Sequence, residues 1–164
     1  MQTHVLLSIK PQFANLILDG DKKFEFRRAI FKSKSVKKVI IYASSPVQKV
    51  IGEFELDGII SEEKEKLWKT TSKYSGIKKE YYDEYFSGKD IAHALKIKNV
   101  LRYEEPRTLQ SFSIAHAPQS FQYLNVVLNA ILGCRANTST CDKTDSSNPL
   151  VPQNSAQPDI ISVH

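Results

Sequence analysis

A chain of 164 residues, 41% hydrophobic and 25% charged, suits one domain with a sizeable core and room for a tail. Its apolar runs, such as "KKVIIYA" and "DGIIS", are too short to cross a bilayer, and "MQTHVLLSIK" lacks the long apolar segment and cleavage site of a signal peptide, so a soluble cytoplasmic protein with no membrane partner is expected. The net charge of +5 is uneven: residues 1–50 carry ten Lys/Arg against three Asp/Glu, and residues 51–90 seven against ten. The first third is therefore a basic face, which fits a polyanionic partner such as nucleic acid or a surface charged for solubility.

In chain order, residues 5–9 form a short apolar run of strand type. Pro11 then opens a helix, where its missing amide hydrogen costs nothing, and Gly20 stands just past the end of "PQFANLILDG", where a left-handed residue closes a helix. Phe13, Leu16 and Ile17 share one face of it. Residues 23–28 alternate, which places Phe24 and Phe26 on one side of a strand and Lys23, Glu25 and Arg27 on the other. "KKVIIYA" is a β-branched strand stopped by "SSP", and "KVIGEFELDGII" alternates Phe54 and Leu56 with Glu53 and Glu55. Both read as central strands of an antiparallel sheet.

Ser61 is the expected N-cap of a helix over "SEEKEKLWKTT", with Glu62 and Glu63 in its first turn. A further helix, "KKEYYDEYF", ends at Gly88; on it Tyr82, Tyr85 and Phe86 share a face at helical spacing and are expected to pack on the sheet rather than stack on bases. "AHALKIKNVLRYEEP" resumes strand alternation with one phase slip, the mark of a bulge. Gln119, Phe121 and Tyr123 alternate as a closing strand. Residues 125–164 hold one apolar patch, "NVVLNAILG", before a run of Ser, Thr, Asn, Gln and Pro. We expect a domain over residues 1–124 and a polar tail over 125–164, with 138–164 disordered. The element order predicts a small α+β domain on a mostly antiparallel sheet, with closure as a barrel open to it.

The stretch "DGDKKFEFRR" is the focus of the chemistry. Gly20, Lys22, Glu25 and Arg27 fit G-x-K-x-x-E-x-R directly after the first helix. Arg27 offers a planar fork for phosphate or a base edge, Lys22 a point charge, and Glu25 an acceptor for a cation or a base amino group. The same charges also suit an ordinary ion pair bracing a strand. Strand parity sets Lys22 with the phenylalanines unless the turn after Gly20 redirects it. Lys10, Arg28, Ser44, Ser45 and Gln119 complete the candidate nucleic-acid contacts, and the serines before Pro46 also suit a plain turn.

This string, with "LLSIKP", "IYASSPVQKVIGEFE" and "PQSFQYL" in the right order, resembles the ASCH domain family over residues 4–124. The resemblance implies a PUA-like β-barrel flanked by short helices, with Lys22, Glu25 and Arg27 lining a cleft beside the first helix. It also implies RNA, in single-stranded form, as the partner, in transcriptional or translational regulation, with a protein complex partner as a further option. Two enzymatic alternatives come with it. Some members are amidohydrolases on N4-acetylcytidine, using a K-x-x-T arrangement in which Lys22 would be catalytic, but Glu25 stands where threonine is required. Others are ribonucleases. Cys134 and Cys141 lie apart from His4, His93, His116 and His164, so neither a metal site nor a cofactor is expected, and no nucleophile elbow, P-loop or dinucleotide fingerprint occurs.

Overall fold

A computed structural model describes residues 3–124, so the expected tail and its apolar patch lie outside the described residues. The element order is β1 (Thr3–Ile9), α1 (Pro11–Leu18), β2 (Phe24–Arg27), β3 (Val36–Ala43), β4 (Lys49–Glu63), α2 (Lys64–Thr71), α3 (Lys79–Tyr85), β5 (Ile91–Arg107) and β6 (Phe121–Leu124). The strands form one six-stranded sheet in the order β2-β5-β4-β3-β1-β6. Every ladder is antiparallel except β1 on β3.

The sheet is α+β as expected, but it is not closed into a barrel. β2 and β6 stand at its two ends with no ladder between them. Each is four residues long, and side chains rather than a further ladder cross the gap. Arg27 at the end of β2 donates from Nη2 to the Ser8 carbonyl of β1 at 2.8 Å.

β1 and β3 are buried on both faces, which explains their continuous apolar runs. Val5, Leu7, Ile9, Val39 and Ile41 meet Ala14 and Ile17 of α1 in one cluster, while Leu6, Ile40 and Tyr42 meet Leu109, Ile114 and Leu124 on the other side. Gly52 permits the approach of α1: a Cβ there would lie 2.5 Å from the Leu101 carbonyl oxygen and 2.6 Å from Leu18. A third cluster joins α2 and α3 to β2 and β5 through Phe26, Leu67, Tyr82, Phe86, Ala92 and Ala94.

A second expectation changes, and a third holds. Ser61 is not an N-cap: β4 continues through it to Glu63, and its hydroxyl sits 2.8 Å from His93 Nδ1 across the ladder. Pairing with β5 supplies the backbone partners that a helix start would leave open. The phase slip in β5 is real and coincides with Asn99, whose φ is +44°. There the β4–β5 register shifts between Glu53 and Glu55, one of three irregularities that bend this long hairpin. No helix among the described residues is long and apolar enough to cross a membrane.

Candidate functional site

The gap between β2 and the ends of β1 and β6 holds a cavity of about 370 Å³. Ser8 and Ile9 come from β1, Lys10 and Phe13 from α1 and its cap, Ser44 from the end of β3, and Gln119 and Ser120 from the approach to β6. Lys22, Glu25, Phe26 and Arg27 form one wall, and Ile77, Tyr81 and Tyr85 complete the lining. The lining combines four aromatic rings, Phe13, Phe26, Tyr81 and Tyr85, with charged and polar side chains, a make-up that suits a small planar group.

Lys22 is 2% exposed, Glu25 7% and Arg27 9%, so three charged side chains are withdrawn together from water. Glu25 stands between the other two: Oε2 is 3.8 Å from Lys22 Nζ, and Oε1 is 3.7 Å from Arg27 Nε. Both separations exceed direct hydrogen bonds. Arg27 Nε is buried without a hydrogen-bond partner among the described residues.

Lys22 resolves the conflict of strand parity. It lies ahead of β2, after Gly20 at φ +85°, and its stem runs beneath Gly76, where an added Cβ would meet Lys22 side-chain carbons at 3.0–3.2 Å. The ammonium therefore reaches both sides. It donates to the Ser75 carbonyl at 2.5 Å, lies 4.9 Å from the Phe26 ring centre and 5.7 Å from that of Phe13, and still faces Glu25. Burial pushes its pKa below the ordinary lysine value; Glu25 opposes that shift and Arg27 adds to it.

Lys10, at the cap of α1, reaches across the cavity and donates from Nζ to the Tyr81 hydroxyl at 3.2 Å. Ser44 and Gln119 line the cavity. Ser45 and Arg28 fall outside its lining: Ser45 is exposed in the turn after β3, and Arg28 Nη2 donates to the Ser87 carbonyl at 3.1 Å. Ser44 also serves that turn, its carbonyl accepting from Val47 N at 3.1 Å.

Sequence reasoning did not place Tyr81 and Tyr85 on the cavity. The signal was present in the spacing of α3, where two i, i+4 pairs are offset by one residue. Tyr82 and Phe86 are fully buried against Phe26, whereas Tyr81 and Tyr85 turn to the cleft. Tyr85 serves both sides, with its ring 4.9 Å from Phe86, and burial raises its pKa so that the hydroxyl keeps its proton.

A second shielded carboxylate lies away from this cavity. Glu53 of β4 accepts from Lys38 Nζ at 2.5 Å and from the Tyr103 hydroxyl at 2.6 Å. Burial alone would raise its pKa, but the hydrogen bonds from Lys38 and Tyr103 outweigh it and hold the carboxyl below its ordinary value. Among the described residues no group of three or more His, Cys, Asp or Glu gathers as a metal site.

An open mixed sheet with a cationic cleft between its first helix and an edge strand is the PUA-like architecture. Residues 7–101 match the model of the ASCH domain, and the chain belongs to the ASCH domain family. A crystal structure of ASCH from Zymomonas mobilis superposes with a TM-score of 0.71 at 28% identity, covering 80% of this chain and 94% of that one. The ASCH domain-containing ribonuclease of Zymomonas mobilis subsp. mobilis is 32% identical over 94 residues, 57% of this chain and 64% of that protein. The large ribosomal subunit protein uL22 of Ureaplasma parvum serovar 3 is 34% identical over 120 residues, 73% of this chain. The chain spans only 39% of that protein's length.

Proposed function

We propose that this domain binds single-stranded RNA by taking one nucleotide into the cleft, with Glu25, Arg27 and Gln119 facing the base, Lys22 beside Glu25 as its counter-charge, and Lys10 at the adjoining phosphate. The observation that carries this reading is the convergence of three buried charges on one cavity that four aromatic rings also line. Burying them costs several kcal/mol, of order 3 or more per uncompensated charge, and a purely structural brace would recover that with direct hydrogen bonds. Here the carboxylate is held short of them. The cavity volume falls in the range of small-ligand sites, and aromatic side chains supply the stacking that single strands use. The ribonuclease relative supports RNA as the polymer.

Fluorescence anisotropy with a labelled single-stranded RNA tests the proposal. Arg27→Gln should weaken binding by about tenfold, the scale of one charged contact, while Lys98→Ala, exposed on β5, should not. Equal affinity for both variants and the parent would overturn it.

RNA cleavage at the same cleft is a second reading, favoured by one observation. Burial moves Lys22 toward its neutral form, in which an amine can take a proton from an attacking hydroxyl. Glu25 favours the ammonium, but burial is the larger effect. If this reading holds, cleavage of end-labelled RNA should rise with pH as Lys22 deprotonates and should vanish in Lys22→Met. Activity unchanged by that substitution would sink it. The amidohydrolase alternative has no threonine to partner Lys22, since Glu25 occupies that position.

A further inference from the structure

We infer that the base taken by this cleft is guanine. The inference rests on the nucleotide reading above and goes one step further, to the identity of the base. Four groups follow one another along the wall: the Arg27 guanidinium, Glu25 Oε1 at 3.7 Å from its Nε, Glu25 Oε2, and Lys22 Nζ at 3.8 Å from that oxygen. Both carboxylate oxygens are short of direct hydrogen bonds to the two cations. The guanidinium donates to the Ser8 carbonyl and has Nε unpartnered among the described residues. Lys22 is committed to the protein, through the Ser75 carbonyl and the faces of Phe26 and Phe13. The wall therefore reads donor, acceptor, acceptor, and then a closed end.

A ligand that completes this series presents an acceptor followed by two adjacent donors. Among the four RNA bases only guanine does so, with O6, N1–H and the 2-amino group in order along one edge. Uracil offers a carbonyl and N3–H, but its second carbonyl then meets Glu25 Oε2, lone pair against anion. Cytosine and adenine offer one amino donor and follow it with a ring-nitrogen acceptor, which meets the carboxylate in the same way. Each rejected base leaves a withdrawn carboxylate oxygen without a donor, the kind of mismatch that discriminates strongly.

The full chain is titrated by anisotropy against short single-stranded adenine RNAs with one central variable base. Guanine should bind about tenfold more tightly than adenine, cytosine or uracil. Hypoxanthine, which keeps O6 and N1–H but lacks the 2-amino group, should fall between. In Glu25→Gln the guanine preference should collapse. The hypoxanthine comparison uses the unaltered protein and stands even if that variant does not fold. Equal, salt-dependent affinity for every base would overturn the guanine inference and leave the nucleotide reading intact. A preference for uracil would overturn it by making Lys22 a ligand donor. Absence of binding to any of these RNAs would remove both readings, and a guanine preference that survives in folded Glu25→Gln would refute the role given to that carboxylate.

Discussion

Glu25 and Glu53 are both strand carboxylates shielded from water beside a lysine, and their surroundings differ in one respect. Glu53 takes hydrogen bonds from Lys38 at 2.5 Å and from Tyr103 at 2.6 Å, whereas Glu25 is held 3.7–3.8 Å from its two cations at the edge of a cavity. A carboxylate whose lone pairs are filled by its own protein is a fastener. One that is neutralised but short of hydrogen bonds keeps its acceptor capacity for something that arrives. The difference separates structural charge from site charge more sharply than burial does, since Glu25 is the more deeply buried of the two.

The largest test of this contrast is Glu25→Gln. It leaves Lys22 and Arg27 facing each other without a counterion, so urea unfolding should show a loss of about 3 kcal/mol. Adding Lys22→Met should recover much of that loss, because the opposed charge is gone. If the double variant is no more stable than the single, mutual repulsion is not the cause.

Glu53→Gln should cost less, about 1–2 kcal/mol for charge-assisted hydrogen bonds that become neutral ones, and should leave RNA affinity unchanged. Its pH dependence has a definite sign. Because the folded-state pKa is lowered, the unfolded chain binds its proton first as pH falls, so the advantage of the parent over Glu53→Gln is complete above the ordinary carboxylate value. That advantage disappears as pH drops through the lowered one. A stability gap that stays constant down to strongly acidic pH would show that Glu53 is not the titrating group.

The smallest effect belongs to Lys10, at the mouth of the cleft. Lys10→Ala should leave stability within about 0.5 kcal/mol, as for other exposed positions. It should flatten the log-log salt dependence of RNA binding by about 0.7, the value for one phosphate contact on a single strand. An unchanged slope would remove Lys10 from the phosphate track.

Much of this fold is legible in local signals. Pro11 and Gly20 bracket α1 because each acts on its own backbone, and the β-branched runs of β1 and β3 mark strands buried on both faces. Signals that depend on a distant partner mislead. Ser61 has the chemistry of a cap, yet β5, thirty residues on, claims its backbone as strand. The candidate residues divide the same way: Lys22, Glu25 and Arg27 stand out by spacing, but period-two parity cannot show that a long lysine stem before the strand reaches both sides. Tyr85 shows the limit of helical faces, since one large ring touches both the core and the cleft. Barrel closure was not readable at all, because it depends on whether two four-residue strands meet across the sheet.

The walls of the cleft are drawn from segments that begin at residue 8 and end at residue 120, and the last of them is stitched to the first. Ser8 N donates to the Ser120 carbonyl at 3.0 Å, and the Ser8 hydroxyl donates to the Pro118 carbonyl at 2.6 Å. During synthesis, at about 5–20 residues per second, the glycine-to-arginine string emerges early, but its cavity lacks a side until β6 has been made and laid beside β1. A nascent chain therefore carries its basic stretch for several seconds before it owns a complete pocket. In that interval the stretch can offer charge alone, and a shaped cavity follows only as the domain is finished.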